Sequence, residues 1–280
     1  MQTEIAALPA ALQTGFYPMA GGANFLLAYG TADSTHAIVF VPPFAEEMNK
    51  CRHLISATMR QLSAAGYSCF LLDNYGTGDS EGDLDNAAMA LWRDDLHQLL
   101  GTITAQGYCS VSFVAIRFGT LQLFDLLNHY TLPVPVKRVV LWQPIFDMAK
   151  FWQQFVRIKV AEAMASGNKL SQKQVEQQLQ NGENIEIAGY PISPAFFHSL
   201  WTAKLNYPQQ LQHCHLCWLE TSQLETIAMP VEKMRQQLTA QCQLTFHQLK
   251  DEPYWQTAEL ASANQLQALT LAYFTQDSTA

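Results

Sequence analysis

The chain has 280 residues, a formal net charge of −8 and 49% hydrophobic residues. That is enough apolar material to bury one sizeable core, and the acidic balance excludes a broad basic face for nucleic acid. Charged residues are 14% of the total and no Pro-rich or Ser/Gly-rich linker interrupts them, so residues 1–280 read as a single domain.

In chain order, apolar runs with strand character fall at residues 25–29, 37–41, 68–72, 111–115, 138–142, 215–219 and 243–249. Helix-period segments lie between or after them at 49–65, 87–104, 120–129, 230–238 and 257–274. Strands alternating with helices of this length predict an α/β fold with a mostly parallel sheet covered by helices on both faces. Residues 145–207 break the alternation, with helical periodicity and no strand to match. They are expected to form a helical cap or lid insertion. Its first stretch, Phe151-Trp152-Gln153-Gln154-Phe155-Val156-Arg157-Ile158-Lys159-Val160, is amphipathic. Packing against the domain is the first reading of that aromatic face, and peripheral contact with membrane lipids the second.

No apolar run approaches the roughly 20 residues that span a bilayer. The segment Met1-Gln2-Thr3-Glu4-Ile5 has no basic region of the signal-peptide kind, and the six cysteines are scattered. Reduced thiols in the cytoplasm are therefore expected. Cys214-His215-Leu216-Cys217 resembles half a metal site, but residues three apart on a strand point to opposite faces. No metal and no cofactor is expected.

The segment Val111-Ser112-Phe113-Val114-Ala115-Ile116-Arg117-Phe118-Gly119 reads as a buried strand running into a turn, with a helix following at once. It resembles the nucleophile elbow of α/β-hydrolases, G-x-S-x-G, with Ala115 and Gly119 as the small residues. The nucleophile position holds Arg117, which keeps its proton in proteins and cannot attack. A literal G-x-S-x-G occurs at Gly78-Asp79-Ser80-Glu81-Gly82, inside a Gly/Asp-rich loop with no helix starting at the serine. Ser80 therefore reads as structural.

The resemblance implies an acid after the strand at 215–219, where Glu220 stands, or earlier at Asp147. It implies a histidine in Lys250-Asp251-Glu252-Pro253-Tyr254-Trp255, which has none, and His247 reads as a packed or edge residue. The loop Pro42-Pro43-Phe44-Ala45-Glu46-Glu47-Met48-Asn49-Lys50 takes the place of the oxyanion loop. Backbone N–H groups there and at Phe118 can form that hole with any side chains. Glu46 and Glu47 each have two readings, a capping charge on the next helix or an inward partner of Arg117, balanced for Glu46 and favouring the capping charge for Glu47.

More specifically, the chain resembles the α/β-hydrolase family known as exosortase A system-associated hydrolase 2. The resemblance rests on Pro42 to Lys50 and on Trp92-Arg93-Asp94-Asp95-Leu96, Ile116-Arg117-Phe118-Gly119 and Leu141-Trp142-Gln143-Pro144. It continues in Ala188-Gly189-Tyr190-Pro191-Ile192-Ser193-Pro194 and Glu252-Pro253-Tyr254-Trp255. It implies a hydrolase tied to exopolysaccharide and exosortase systems, with arginine at the elbow and so outside ordinary Ser-His-Asp chemistry. The catalytic candidates are Arg117, Glu46, Glu220 and Glu252. The substrate-binding candidates are Phe44, Ala45, Phe118, Asn49 and Asp147, around a small-molecule, acyl or glycan-linked substrate. The alternative is a non-catalytic protein that holds an anionic ligand on Arg117.

Overall fold

The computed structural model describes residues 13–30, 34–257 and 259–276. The segment Met1 to Ile5 discussed above lies outside them. In chain order the elements are β1 (Gln13–Pro18), β2 (Ala23–Tyr29), β3 (His36–Val41), α1 (Glu46–Ala64), β4 (Ser68–Leu72), α2 (Met89–Ala105), β5 (Ser110–Ile116), α3 (Gly119–His129) and β6 (Val136–Trp142). They continue as α4 (Met148–Ala165), α5 (Gln172–Gln180), β7 (Ile185–Ile187), β8 (Tyr190–Ile192), α6 (Pro194–Leu200), β9 (His215–Thr221), α7 (Met229–Thr239), β10 (Gln243–Leu249) and α8 (Asn264–Thr275).

Eight strands form one sheet in the order β1-β2-β4-β3-β5-β6-β9-β10. The pairs from β4 through β10 are parallel, whereas β2 is antiparallel to β1 and β4. The central strands are buried on both faces, which explains why they read as continuous apolar runs rather than alternating ones. Val39, Val41, Phe113, Ala115 and Leu141 face one layer with Leu99 and Leu100 of α2 and Leu123 of α3. Ile38, Phe40, Val114, Ile116, Val140 and Trp142 face the other, with Ile55 and Met59 of α1 and Leu266 of α8. Leaving β3, the chain crosses by α1 to β4 on one side and returns by α2 to β5 on the other. The strand order thus reverses beside the carboxyl end of β3, where open α/β sheets place their ligands.

The segment between β6 and β9 is mainly helical, with α4, α5 and α6. It contains a two-stranded ribbon, β7-β8, that the sequence reading missed. Ala188 and Gly189 at its turn both have positive φ (52° and 80°), the pattern of a tight type I′ hairpin, and three-residue strands carry too little periodicity to be seen. The helix expected at 257–274 begins only at Asn264, and β1 was also missed.

The insertion has its own apolar cluster, shared with the body. Phe44 lies with its ring 5.0–5.8 Å from those of Phe118, Phe151, Phe155 and Phe196. Polar ties hold it in place: Ser193 Oγ donates to the Asp85 carbonyl (2.6 Å), and the Met89 N–H donates to Ser199 Oγ (3.1 Å). The aromatic face of α4 is therefore packed inward. No helix among the described residues is long and apolar enough to cross a membrane.

Candidate functional site

Arg117 stands one residue past β5 with φ 52°, the left-handed backbone of a sharp strand-to-helix turn. A non-glycine residue there costs about 1–3 kcal/mol, so the surrounding structure holds it. Its N–H donates to the Trp142 carbonyl (2.9 Å), and its own carbonyl accepts from Ile145 (3.3 Å). Gly119 lets α3 approach β3: a Cβ there would sit 2.2 Å from the Val41 carbonyl oxygen. The elbow is complete in backbone terms, and the side chain it presents is a guanidinium.

That guanidinium is only 6% exposed. Its Nε lies 3.2 Å from both Glu47 carboxylate oxygens, and Nη2 donates to Glu47 Oε1 at 2.8 Å and to Gln154 Oε1 at 3.3 Å. The ring of Trp255 lies against it, with the guanidinium carbon 4.6 Å from the ring centroid. Nη1 has no acceptor among the described residues. Neither have the backbone N–H groups of Ala45 and Phe118, the places where an oxyanion hole would be built. Ala45 also has positive φ (52°), so the loop leading into α1 is strained beside the elbow.

These groups border a cavity of about 270 Å³. Phe44, Ala45, Phe151, Phe155, Ile158 and Trp255 form its apolar walls; Arg117, Glu46, Glu47, Lys50, Gln154 and Gln256 supply the polar ones. Phe151, Phe155 and Ile158 fall on one stripe of α4, with Gln154 beside them, and Asp147 caps that helix by accepting from the N–H of Ala149 (2.8 Å) and Lys150 (3.2 Å).

The expected site is corrected at several positions. Glu47, read as a capping charge, is the partner of Arg117; Glu46 turns outward to Asn49 Nδ2 (2.8 Å) and Lys50 (3.8 Å). Successive helix residues point about 100° apart, so one of two adjacent glutamates can face the turn only if the other faces away. Asn49 bonds Tyr190 Oη (3.0 Å) and lines a separate small recess, not the cavity. Asp147 is exposed and spent on its helix cap. Glu252 is exposed and lies outside the cavity lining, whereas its neighbour Trp255 is drawn in. Phe44 and Ala45 line the cavity; Phe118 is buried beside Phe44 and is not in the lining.

Glu220, the expected acid, lies near the end of β9 in the field of Arg117 and is held by Trp218 Nε1 (2.9 Å) and Gln143 Nε2 (2.9 Å). Burial raises its pKa, an effect opposed by these bonds and by the field of Arg117. Gln143 itself has φ 45° and accepts from the Thr221 N–H (2.6 Å). In the loop where a catalytic histidine would stand, Tyr254 is fully buried, its hydroxyl has no partner among the described residues, and burial pushes its pKa well above the phenol range. Ser80 Oγ donates to the Asp73 carbonyl (2.7 Å) and accepts from the Phe25 N–H (2.9 Å), a loop brace. Among the described residues no cluster of three or more His, Cys, Asp or Glu is arranged to hold a metal, and all six cysteines are free.

Sequence reasoning ranked Glu47 below Glu46 as a partner of Arg117 and missed Gln154 and Trp255. The Phe151–Gln154–Phe155–Ile158 spacing was the available signal for the cavity wall; nothing local marked Trp255.

No family model matches the chain, and no curated protein matches its sequence. Solved structures do match in fold. Est1E from Butyrivibrio proteoclasticus, with ferulic acid bound, aligns at a TM-score of 0.59 and 12% identity, covering 90% of this chain and 94% of that one. XC6422 from Xanthomonas campestris, described as an α/β serine hydrolase without lid, aligns at 0.54 and 10%, covering 95% and 94%. Mouse alpha/beta hydrolase domain-containing protein 10 aligns at 0.55 and 11%, covering 94% and 96%. Sheet order, elbow and neighbours agree: the chain has the α/β-hydrolase fold.

Proposed function

We propose that the protein binds an acyl-bearing or glycan-linked small molecule non-covalently, with an acceptor oxygen of the ligand on Arg117. The observation that carries this reading is the cavity itself, apolar along α4 and bordered by Arg117. A cavity of about 270 Å³ suits a small ligand such as a short acyl chain or one ring. Covalent hydrolysis needs a nucleophile and a base. The elbow offers an arginine, the loop after β10 has no histidine, and Glu220 is tied to Trp218 and Gln143. The exosortase and exopolysaccharide setting follows from the resemblance described above and would make the ligand an intermediate of that chemistry. The insertion then acts as a lid, and the cytoplasm keeps the six thiols reduced.

One observation favours a second reading. Glu47 is partly exposed at the cavity, where it could deprotonate a water while Arg117 and the Ala45 and Phe118 amides stabilise the developing charge. Calorimetric titration with methyl hexanoate, run beside an assay for released methanol, separates the two. The expected result is binding without turnover, weakened at least tenfold in Arg117→Ala. Turnover that disappears in Glu47→Gln would establish the second reading instead, and absence of binding would overturn the first.

A further inference from the structure

The charges around the cavity cancel in pairs. Arg117 meets Glu47 at 2.8 Å through Nη2, with Nε shared between both carboxylate oxygens. Lys50 lies 3.8 Å from Glu46. Glu220, within the field of Arg117, adds a carboxylate rather than a cation. Glu47 also sits in the first turn of α1. A ligand anion approaching Nη1 would therefore meet a guanidinium whose charge is already matched, with the Glu47 carboxylate on the adjacent edge. Like charges brought together at one site repel. A neutral carbonyl has no such penalty and still accepts a hydrogen bond from Nη1. Among the described residues, the unpartnered buried side-chain groups of the neighbouring loop include the indole N–H of Trp255, a donor, and the hydroxyl of Tyr254, which can also donate.

We propose that Glu47 is a specificity-determining residue that makes the cavity select an uncharged acyl head group (ester, thioester or amide) and reject the free carboxylate. This rests on the reading of the cavity as an acyl-binding site. It departs from the anionic ligand that an arginine at the elbow suggests, because the pairing seen here removes the net charge.

The test compares methyl hexanoate with sodium hexanoate at pH 7 by titration calorimetry, in the wild-type protein and in Glu47→Gln. The wild type is expected to prefer the ester by at least tenfold. The glutamine variant, with Arg117 left unmatched, is expected to shift the acid-to-ester affinity ratio at least tenfold toward the acid. Equal affinity for acid and ester in the wild type overturns the proposal without any variant. A ratio unmoved by Glu47→Gln in a protein with wild-type circular dichroism overturns the role of Glu47. Binding of neither probe by either protein overturns the acyl-site reading itself, and this inference with it.

Discussion

At the scale of single residues, the elbow separates backbone from chemistry. Gly119 and the positive φ of Arg117 preserve the tight turn, yet the side chain there serves hydrogen bonding and charge rather than attack. His36 shows a different residue-scale constraint at the opposite end of the sheet. Its ring nitrogens reach Ser110 Oγ (2.7 Å) and Ser112 Oγ (2.9 Å), and burial, with Arg138 and Lys137 nearby, pushes its pKa down to about 4. In the unfolded chain the ring titrates near about 6.5. Between those values the unfolded state takes up the proton and the folded state does not, so stability falls as pH drops through that window. Urea midpoints measured from pH 7 to pH 4 should fall more steeply in the wild type than in His36→Gln. Glu220, Asp73 and Asp95 have raised values and act in the opposite sense, so the difference between the two proteins is the quantity to read.

At the scale of elements, α4 carries most of the cavity wall and depends on its first turn. Asp147 accepts two of the helix's free N–H groups, and Trp152 Nε1 donates to Glu176 of α5 (2.9 Å), tying the two helices. Losing an N-cap of this kind costs about 0.5–2 kcal/mol. Asp147→Ala should lower the thermal midpoint accordingly and weaken ester binding, since Phe151 and Gln154 lie within two turns of the cap. A variant with a lowered midpoint and unaltered binding would separate the cap from the cavity. Asp147 thus supports the site through its helix, where the sequence suggested direct contact.

For the whole molecule, two sheet faces and the insertion form three apolar clusters, and the cavity opens where the third meets the carboxyl ends of β3 and β5. A ligand seated there bridges α4 to the body. At a hundredfold excess over its dissociation constant it adds about 2.7 kcal/mol of stability. Saturation with methyl hexanoate should raise the unfolding temperature and slow amide exchange across Met148–Ala165 more than across α7, which lies outside the cavity. Uniform protection, or none in α4, would contradict a ligand under the insertion.

The sequence by itself determined the sheet, because strands buried on both faces must be continuous apolar runs and the helices between them must be long enough to cross back. It also determined the tight turn after β5, since only a small residue fits at Gly119, and it placed Arg117 at that turn. What the tertiary structure decided is which groups meet that arginine. Glu46 and Glu47 are chemically identical and adjacent, and helix phase relative to a loop 70 positions away selects Glu47. Gln154 and Trp255 arrive from an insertion and a C-terminal loop whose paths are fixed by packing, not by local pattern. Local periodicity encodes which face of an element is buried; the partner that buries it is set by contacts far apart in the chain.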